Sequence, residues 1–233
     1  MEPFDKTRLY MLDAPRFIWM SAPYYEGSAY QYSTYVPHDA RELIRRVGGD
    51  LEFVRWLDVF FGEVGAGEPL RQEGLYTQGN EPDLLFPFLY VHAGRADRMQ
   101  ARVRQLMREE YRTGRAGLPG NDDAGTMSSW YVWCAVGLYP NAGQDYYYIG
   151  SPAFRRASIA LGRNRLFTIE APNSSPTNVY VQVAYLNGRP LDRAWLTHAE
   201  VSSGGRLILQ MSDSPSGWGR ANQPPTLPAM RIQ

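Results

Sequence analysis

"SSWYVWCAVGLYP", residues 128–140, is where the hydrophobic period of the chain changes. It is apolar all round, which for a helix means burial on every side, and Pro140 marks its end. Upstream, apolar residues recur at helical spacing. Ala40, Leu43, Ile44 and Val47 share a face in "HDARELIRRVGG", with Asp39 near the start and Gly48 and Gly49 at the stop. Val54, Leu57 and Phe61 keep step in "GDLEFVRWLDVFFG". Met99, Val103, Leu106, Met107 and Tyr111 form a stripe behind a capping Asp97. Downstream, "YYYIG", "ASIALG", "LFTIEA", "VYVQVAYL" and "RLILQMS" are short, rich in β-branched and aromatic residues, and separated by turn-forming stretches such as "LNGRP" and "SSGG". Helices first and strands second predict an α+β fold in segregated layers. The helical part is expected over 1–145, an antiparallel β domain over 146–212, and an extended Pro- and Gly-rich tail over 213–233.

Composition narrows the function classes. Lys plus Arg and Asp plus Glu balance at 24 each, so there is no net field to gather phosphates or anionic lipid, and nucleic acid is not an expected partner. The single Cys134 lies inside the apolar run, so it can neither staple the fold nor build a thiolate metal cluster. No apolar stretch reaches the roughly 18 residues of a membrane span, and "MEPFDKTRLY" lacks the pattern of a secretory signal. The aromatic share of 13%, dominated by tyrosine, offers flat apolar faces with polar tips, which suit sugar rings as well as a Tyr-rich core.

The polar clusters of the helical half sit between apolar helices: "YYEGSAYQYS" (24–33), "TQGNEPDLLFP" (77–87) and "GLPGNDDAGTMSSWY" (117–131). Each sets a glycine beside a carboxylate and an amide or second acid, and glycine lets the backbone turn so that the acid is aimed inward. Helix capping is the alternative: Asp122 or Asp123 could cap a helix beginning near Thr126, and Glu81 before Pro82 could open another. Loops at the ends of successive helices commonly converge on one end of a bundle or barrel. His38 reads as ordering a helix start, and His92 and His198 as structural or exposed. "NSS" at 173–175 matches the N-glycosylation pattern, which recurs by chance. Neither a phosphate-binding loop nor a GxSxG elbow is present.

The order "YYEGSAYQYSTYVPHD", "QGNEPDLLFPFLY", "GLPGNDDAGTMSSWYVWCAVGLYP" and "IGSP" resembles the glycoside hydrolase family 92 α-mannosidases, from about Tyr24 to Gly219. The resemblance implies a calcium-dependent, exo-acting enzyme that inverts the anomeric centre. It also implies a parent protein with an N-terminal β-sandwich, an (α/α)6 barrel and closing β structure. This chain, with fewer helices than a full barrel, would be its C-terminal portion: later barrel helices, then a small β domain. By the same resemblance Glu26, set among Tyr25, Tyr30 and Tyr32, is the general acid, and Asp123 is the general base.

Apolar surroundings that disfavour ionisation suit an acid that must stay protonated near neutrality. Asn121, Asp122, Tyr30, Gln31 and Glu81 are the implied sugar-binding residues, and Asn80, Glu81 and Gln31 the implied calcium ligands. Leu84 and Leu85 stand where a polar pair is usual, Tyr30 where Trp is usual and Ser28 where Asn is usual. The implied substrate is a terminal α-linked mannose on an oligosaccharide or glycoprotein glycan, and the implied location of the parent is periplasmic or extracellular. A truncated, catalytically incomplete fragment or a sugar-binding remnant is the alternative reading.

Overall fold

The computed structural model describes residues 29–32, 34–62 and 76–226. The helical half runs α1 (Ala29–Tyr32), α2 (Ala40–Val47), α3 (Asp50–Phe60), a 3-10 turn (Glu81–Leu85), α4 (Phe86–Leu89), a second 3-10 turn (Tyr90–Ala93), α5 (Ala96–Glu109) and α6 (Thr126–Val136). Local chemistry sets these ends. Asp39 caps α2 by accepting the Glu42 N–H at 3.1 Å, and Gly48, at φ 123°, closes it. Ala40, Leu43 and Ile44 of α2 are buried, as are Met99, Val103, Leu106 and Met107 of α5, so the helical stripes face one core. Aromatic stacking fills that core: Trp56 lies 5.3 Å from Phe60, and Phe60 lies 4.7 Å from Phe86.

Several expectations change. Asp97 does not cap α5; Arg95 holds that position, and Asp97 lies in the first turn, where it pairs with the Arg95 guanidinium at 2.6 Å. α6 is not buried all round. Met127, Trp130 and Cys134, at spacings of one helical turn, are buried, whereas Tyr131 is 37% and Val132 59% exposed. Nor does Pro140 end α6. Gly137 does, at φ 95°, its N–H bonding back to Trp133 and Cys134, and a Cβ there would lie 2.8 Å from the Pro152 side chain. Pro140 instead closes an edge strand, where its missing N–H costs nothing.

The strands are β1 (Leu138–Pro140), β2 (Tyr146–Ile149), β3 (Arg156–Ala160), β4 (Leu166–Glu170), β5 (Tyr180–Leu186), β6 (Arg189–Leu191), β7 (Trp195–Thr197) and β8 (Gly205–Ser212), with α7 (His198–Ser202) between the last two. They form a 3-stranded sheet ordered β1-β2-β7 and a 5-stranded sheet ordered β3-β4-β8-β5-β6. The larger sheet is mixed rather than wholly antiparallel, because β8 inserts between β4 and β5 and runs parallel to β4. Leu207, Leu209 and Met211 alternate inward along β8 into a second apolar core.

The two halves are sewn together by side chains. Gln100 of α5 accepts the Val181 N–H of β5 at 3.0 Å. Arg104 donates to the carbonyls of Pro152 at 2.7 Å and Ser175 at 2.9 Å. Tyr146 and Tyr148 of β2 point into the helical core, where Tyr148 meets His92 at 2.8 Å. His92 is buried, and loss of water pushes its imidazole down to about 3, so it is a neutral structural group. In the C-terminal stretch, Trp218 packs against both cores and its indole N–H donates to the Leu191 carbonyl at 2.6 Å.

Candidate functional site

The loop over 76–85 is held to the loop over 117–125 by direct backbone contact. A Cβ on Gly79 would stand 3.0 Å from the Pro119 carbonyl oxygen and 3.3 Å from the Gly120 Cα. Only glycines on both strands of this crossing permit so close an approach. A second tie runs beside it. Trp130, in the first turns of α6, donates its indole N–H to the Leu84 carbonyl at 3.0 Å and stacks on Tyr111 with ring centres 5.6 Å apart. The Tyr111 hydroxyl takes a hydrogen bond from the buried Gln78 at 2.9 Å, and Gln78 in turn accepts from Tyr76.

The third segment, α1, joins through Asp83. This carboxyl is fully buried, and one of its oxygens, Oδ2, accepts both the Gln31 side-chain N–H at 2.8 Å and the Thr77 backbone N–H at 2.6 Å. Its other oxygen has no hydrogen-bond partner among the described residues. Burial pushes the Asp83 carboxyl up to about 8, against the two hydrogen bonds that pull the other way. Asp83 was given no role from sequence. The signal was an acid placed directly before Leu84, Leu85 and Phe86, which left it in an apolar run.

Asp122 and Asp123 separate in role. Asp122 accepts the Ser128 N–H at 2.8 Å and the Ser128 hydroxyl at 2.6 Å, which hold its carboxyl below the usual carboxylate range. Neither acid is the cap of α6: Gly125 holds that position without a side-chain bond, and Asp122 reaches the first-turn Ser128 from three residues before that glycine. Asp123 is exposed, and its side chain makes no hydrogen bond or ion pair among the described residues. Its backbone sits at φ 36°, followed by Ala124 at 57° and Gly125 at 89°, a run of left-handed residues that side chains disfavour. Asn121 is exposed beside it.

Asn80 precedes the 3-10 turn that Glu81 and Pro82 open, so the expected start by Glu81 is realised in tight rather than α form. The Glu81 side chain is exposed, whereas Gln31 is buried, its amide N–H directed to Asp83. Glu26 lies outside the described residues, as does the side chain of Tyr30. Among the described residues no group of three or more His, Cys, Asp or Glu could hold a metal ion. The donors at hand, one carboxylate and two side-chain amides, are all hard oxygens of the kind calcium takes. A cavity of about 350 Å³ beside Arg95, Arg98 and Arg102 of α5 shares no lining residue with the three loops. Asp97 and Asp58 pair with the first two of those guanidinium groups.

Known proteins of one family resemble this chain in sequence and in fold. An uncharacterized secreted glycosidase of Arthroderma benhamiae is 35% identical over 210 residues, covering 88% of this chain and 26% of that protein. A family 92 α-mannosidase of Bacteroides thetaiotaomicron, solved with mannoimidazole, superposes with a TM-score of 0.79 at 31% identity, covering 87% of this chain and 28% of that one. A family 92 inverting mannosidase from the same organism superposes with a TM-score of 0.77 at 31% identity, covering 88% of this chain and 30% of that one. The chain thus spans between a quarter and a third of the length of these relatives. The model of the glycosyl hydrolase family 92 catalytic domain matches residues 2–213, and the chain belongs to that family.

Proposed function

We propose that this chain carries the reacting carboxyl groups of a secreted, inverting exo-α-mannosidase, with Glu26 as general acid and Asp123 as general base. The observation that carries the reading is the crossing of Gly79 with Gly120, which joins the Asn80–Glu81 turn to the Asn121–Asp123 loop in a member of this family. The left-handed backbone at Asp123 supports it, since strain of this kind collects where a side chain must be aimed. In the reaction, Glu26 gives its proton to the glycosidic oxygen as the bond from the anomeric carbon to that oxygen breaks. Asp123 takes a proton from the water that attacks the same carbon from the opposite face, and mannose leaves with inverted configuration. Such a pair stands about 6.5–9.5 Å apart, leaving room for the water.

Asn121, Asp122, Tyr30, Gln31 and Glu81 would hold the sugar. Asn80, Glu81 and Gln31 would hold calcium, which supplies charge for binding sugar hydroxyls when present. One carboxylate among three donors predicts a weak site completed by water and substrate. The helices before Leu138 would be the later ones of an (α/α)6 barrel, whose remainder and N-terminal β-sandwich belong to the parent protein. The substrate would be a mannose-capped oligosaccharide or glycoprotein glycan.

A second reading, a sugar-binding but catalytically incomplete piece, draws on the partial coverage of the relatives. Release of mannose from an aryl α-mannoside separates the two. The enzyme reading expects release that stops with a chelator and falls at least about 100-fold in Glu26→Gln and Asp123→Asn. Undiminished release in either variant removes that residue from its role, and binding without release favours the second reading.

A further inference from the structure

We propose that Asp83 is the positioning residue that sets the distance between α1 and the Asn80–Glu81 turn, and so between the sugar and calcium donors on the two segments. The inference rests on the mannosidase reading given above. Three observations carry it. A single carboxyl oxygen receives both the Gln31 side chain, 52 positions away, and the Thr77 N–H at the start of the turn. The group is completely enclosed, so bulk water does not compete for either bond. It stands two positions after Glu81 on the same 3-10 turn, so any shift of the carboxyl is passed to Asn80 and Glu81 through that turn.

An apolar residue would pack here without leaving the second oxygen partnerless, as Asp83 does. What only a bridging acceptor supplies is a fixed separation of two segments remote in sequence. Outer partners of this kind typically change ion affinity or activity by about 10–100-fold when removed.

The variants follow from both bonds falling on one oxygen. Asp83→Asn keeps a carbonyl in that place and accepts both N–H groups. Asp83→Ala accepts neither. Gln31→Glu keeps an oxygen for ligation but has no N–H to give. The full chain is titrated with calcium by displacement of terbium luminescence, mannose release from an aryl α-mannoside is measured in parallel, and melting is followed for every variant.

The expected result is Asp83→Asn within about threefold of the native chain, and Asp83→Ala and Gln31→Glu weaker in both readouts by about 10–100-fold. Should Asp83→Ala fail to fold, Asp83→Asn and Gln31→Glu decide alone. Native-like calcium affinity and turnover in Gln31→Glu overturn the positioning role. An Asp83→Asn chain as impaired as Asp83→Ala does the same. A native chain that neither binds calcium nor releases mannose overturns the mannosidase reading and this role with it, whereas a working native chain with indifferent variants overturns this role only.

Discussion

Gly79 and Gly120 lie back to back, so close that a Cβ built on Gly120 would stand 3.1 Å from the Gly79 Cα. Gly79→Ala or Gly120→Ala therefore forces the two loops apart by a few tenths of an ångström. Under the proposed mechanism groups on both loops would meet one sugar, so positioning at this scale would matter. The expected outcome is a fall in kcat of about tenfold in either variant, since misplacement by 1 Å can cost about 100-fold. Steady-state kinetics checks it, and unchanged kcat would mean that the crossing serves packing alone.

The adjacent acids of "GNDDAG" should respond in opposite ways. Asp122→Ala removes the acceptor of two hydrogen bonds at the start of α6 and is expected to lower the denaturation midpoint. Asp123→Asn touches no partner among the described residues, and asparagine tolerates the left-handed backbone that position 123 adopts. Its stability should change by less than about 0.5 kcal/mol while mannose release collapses. Denaturant titration of both variants beside their turnover separates support of α6 from catalysis.

Acid should destabilise the fold through His92. Its imidazole is held down at about 3, because the buried ring loses water and the Arg41 charge lies nearby. Above about pH 6.5 the ring is neutral whether the chain is folded or not. Below that, the unfolded chain binds a proton that the folded chain refuses, so stability falls until the pH reaches about 3. His92→Gln can keep a bond to the Tyr148 hydroxyl and should flatten this dependence. Melting temperatures measured between pH 7 and pH 4 should fall less in the variant than in the native chain, and parallel slopes would dismiss the histidine as the cause.

Arg104 is expected to be a stability residue for the junction of helix and sheet. Its guanidinium donates to Pro152 and Ser175 carbonyls while partly enclosed, and that burial lowers its pKa from the usual arginine range. Arg104→Ala should cost roughly 1–3 kcal/mol by removing charged donors from two carbonyls. Arg104→Lys should recover only part of this, because one ammonium cannot reproduce the planar fork. Chemical denaturation of the three proteins tests the order.

Sequence alone determined the succession of helices and strands, because the apolar periods of α2, α3 and α5 and the β-branched runs of the strands are local properties of the chain. It also held the family, through short motifs whose order and glycines are legible without coordinates. Where helices stop was less legible. Pro140 looked like a terminator, but Gly137 reached the left-handed conformation first, packed against a Pro152 that is not its sequence neighbour.

Which acid does what was decided only in three dimensions. Asp122 and Asp123 are equivalent as letters, and the placement of Ser128 ties one of them to the first turn of α6 while the other stays exposed. Asp83 went unread because its significance comes from Gln31, 52 positions away, and from an enclosure built by residues of several elements. Periodicity reports how a segment faces its own neighbours. Burial, the sharing of one oxygen by two donors, and the contact of two glycines arise from segments far apart in the chain, and they exist only once the core has formed.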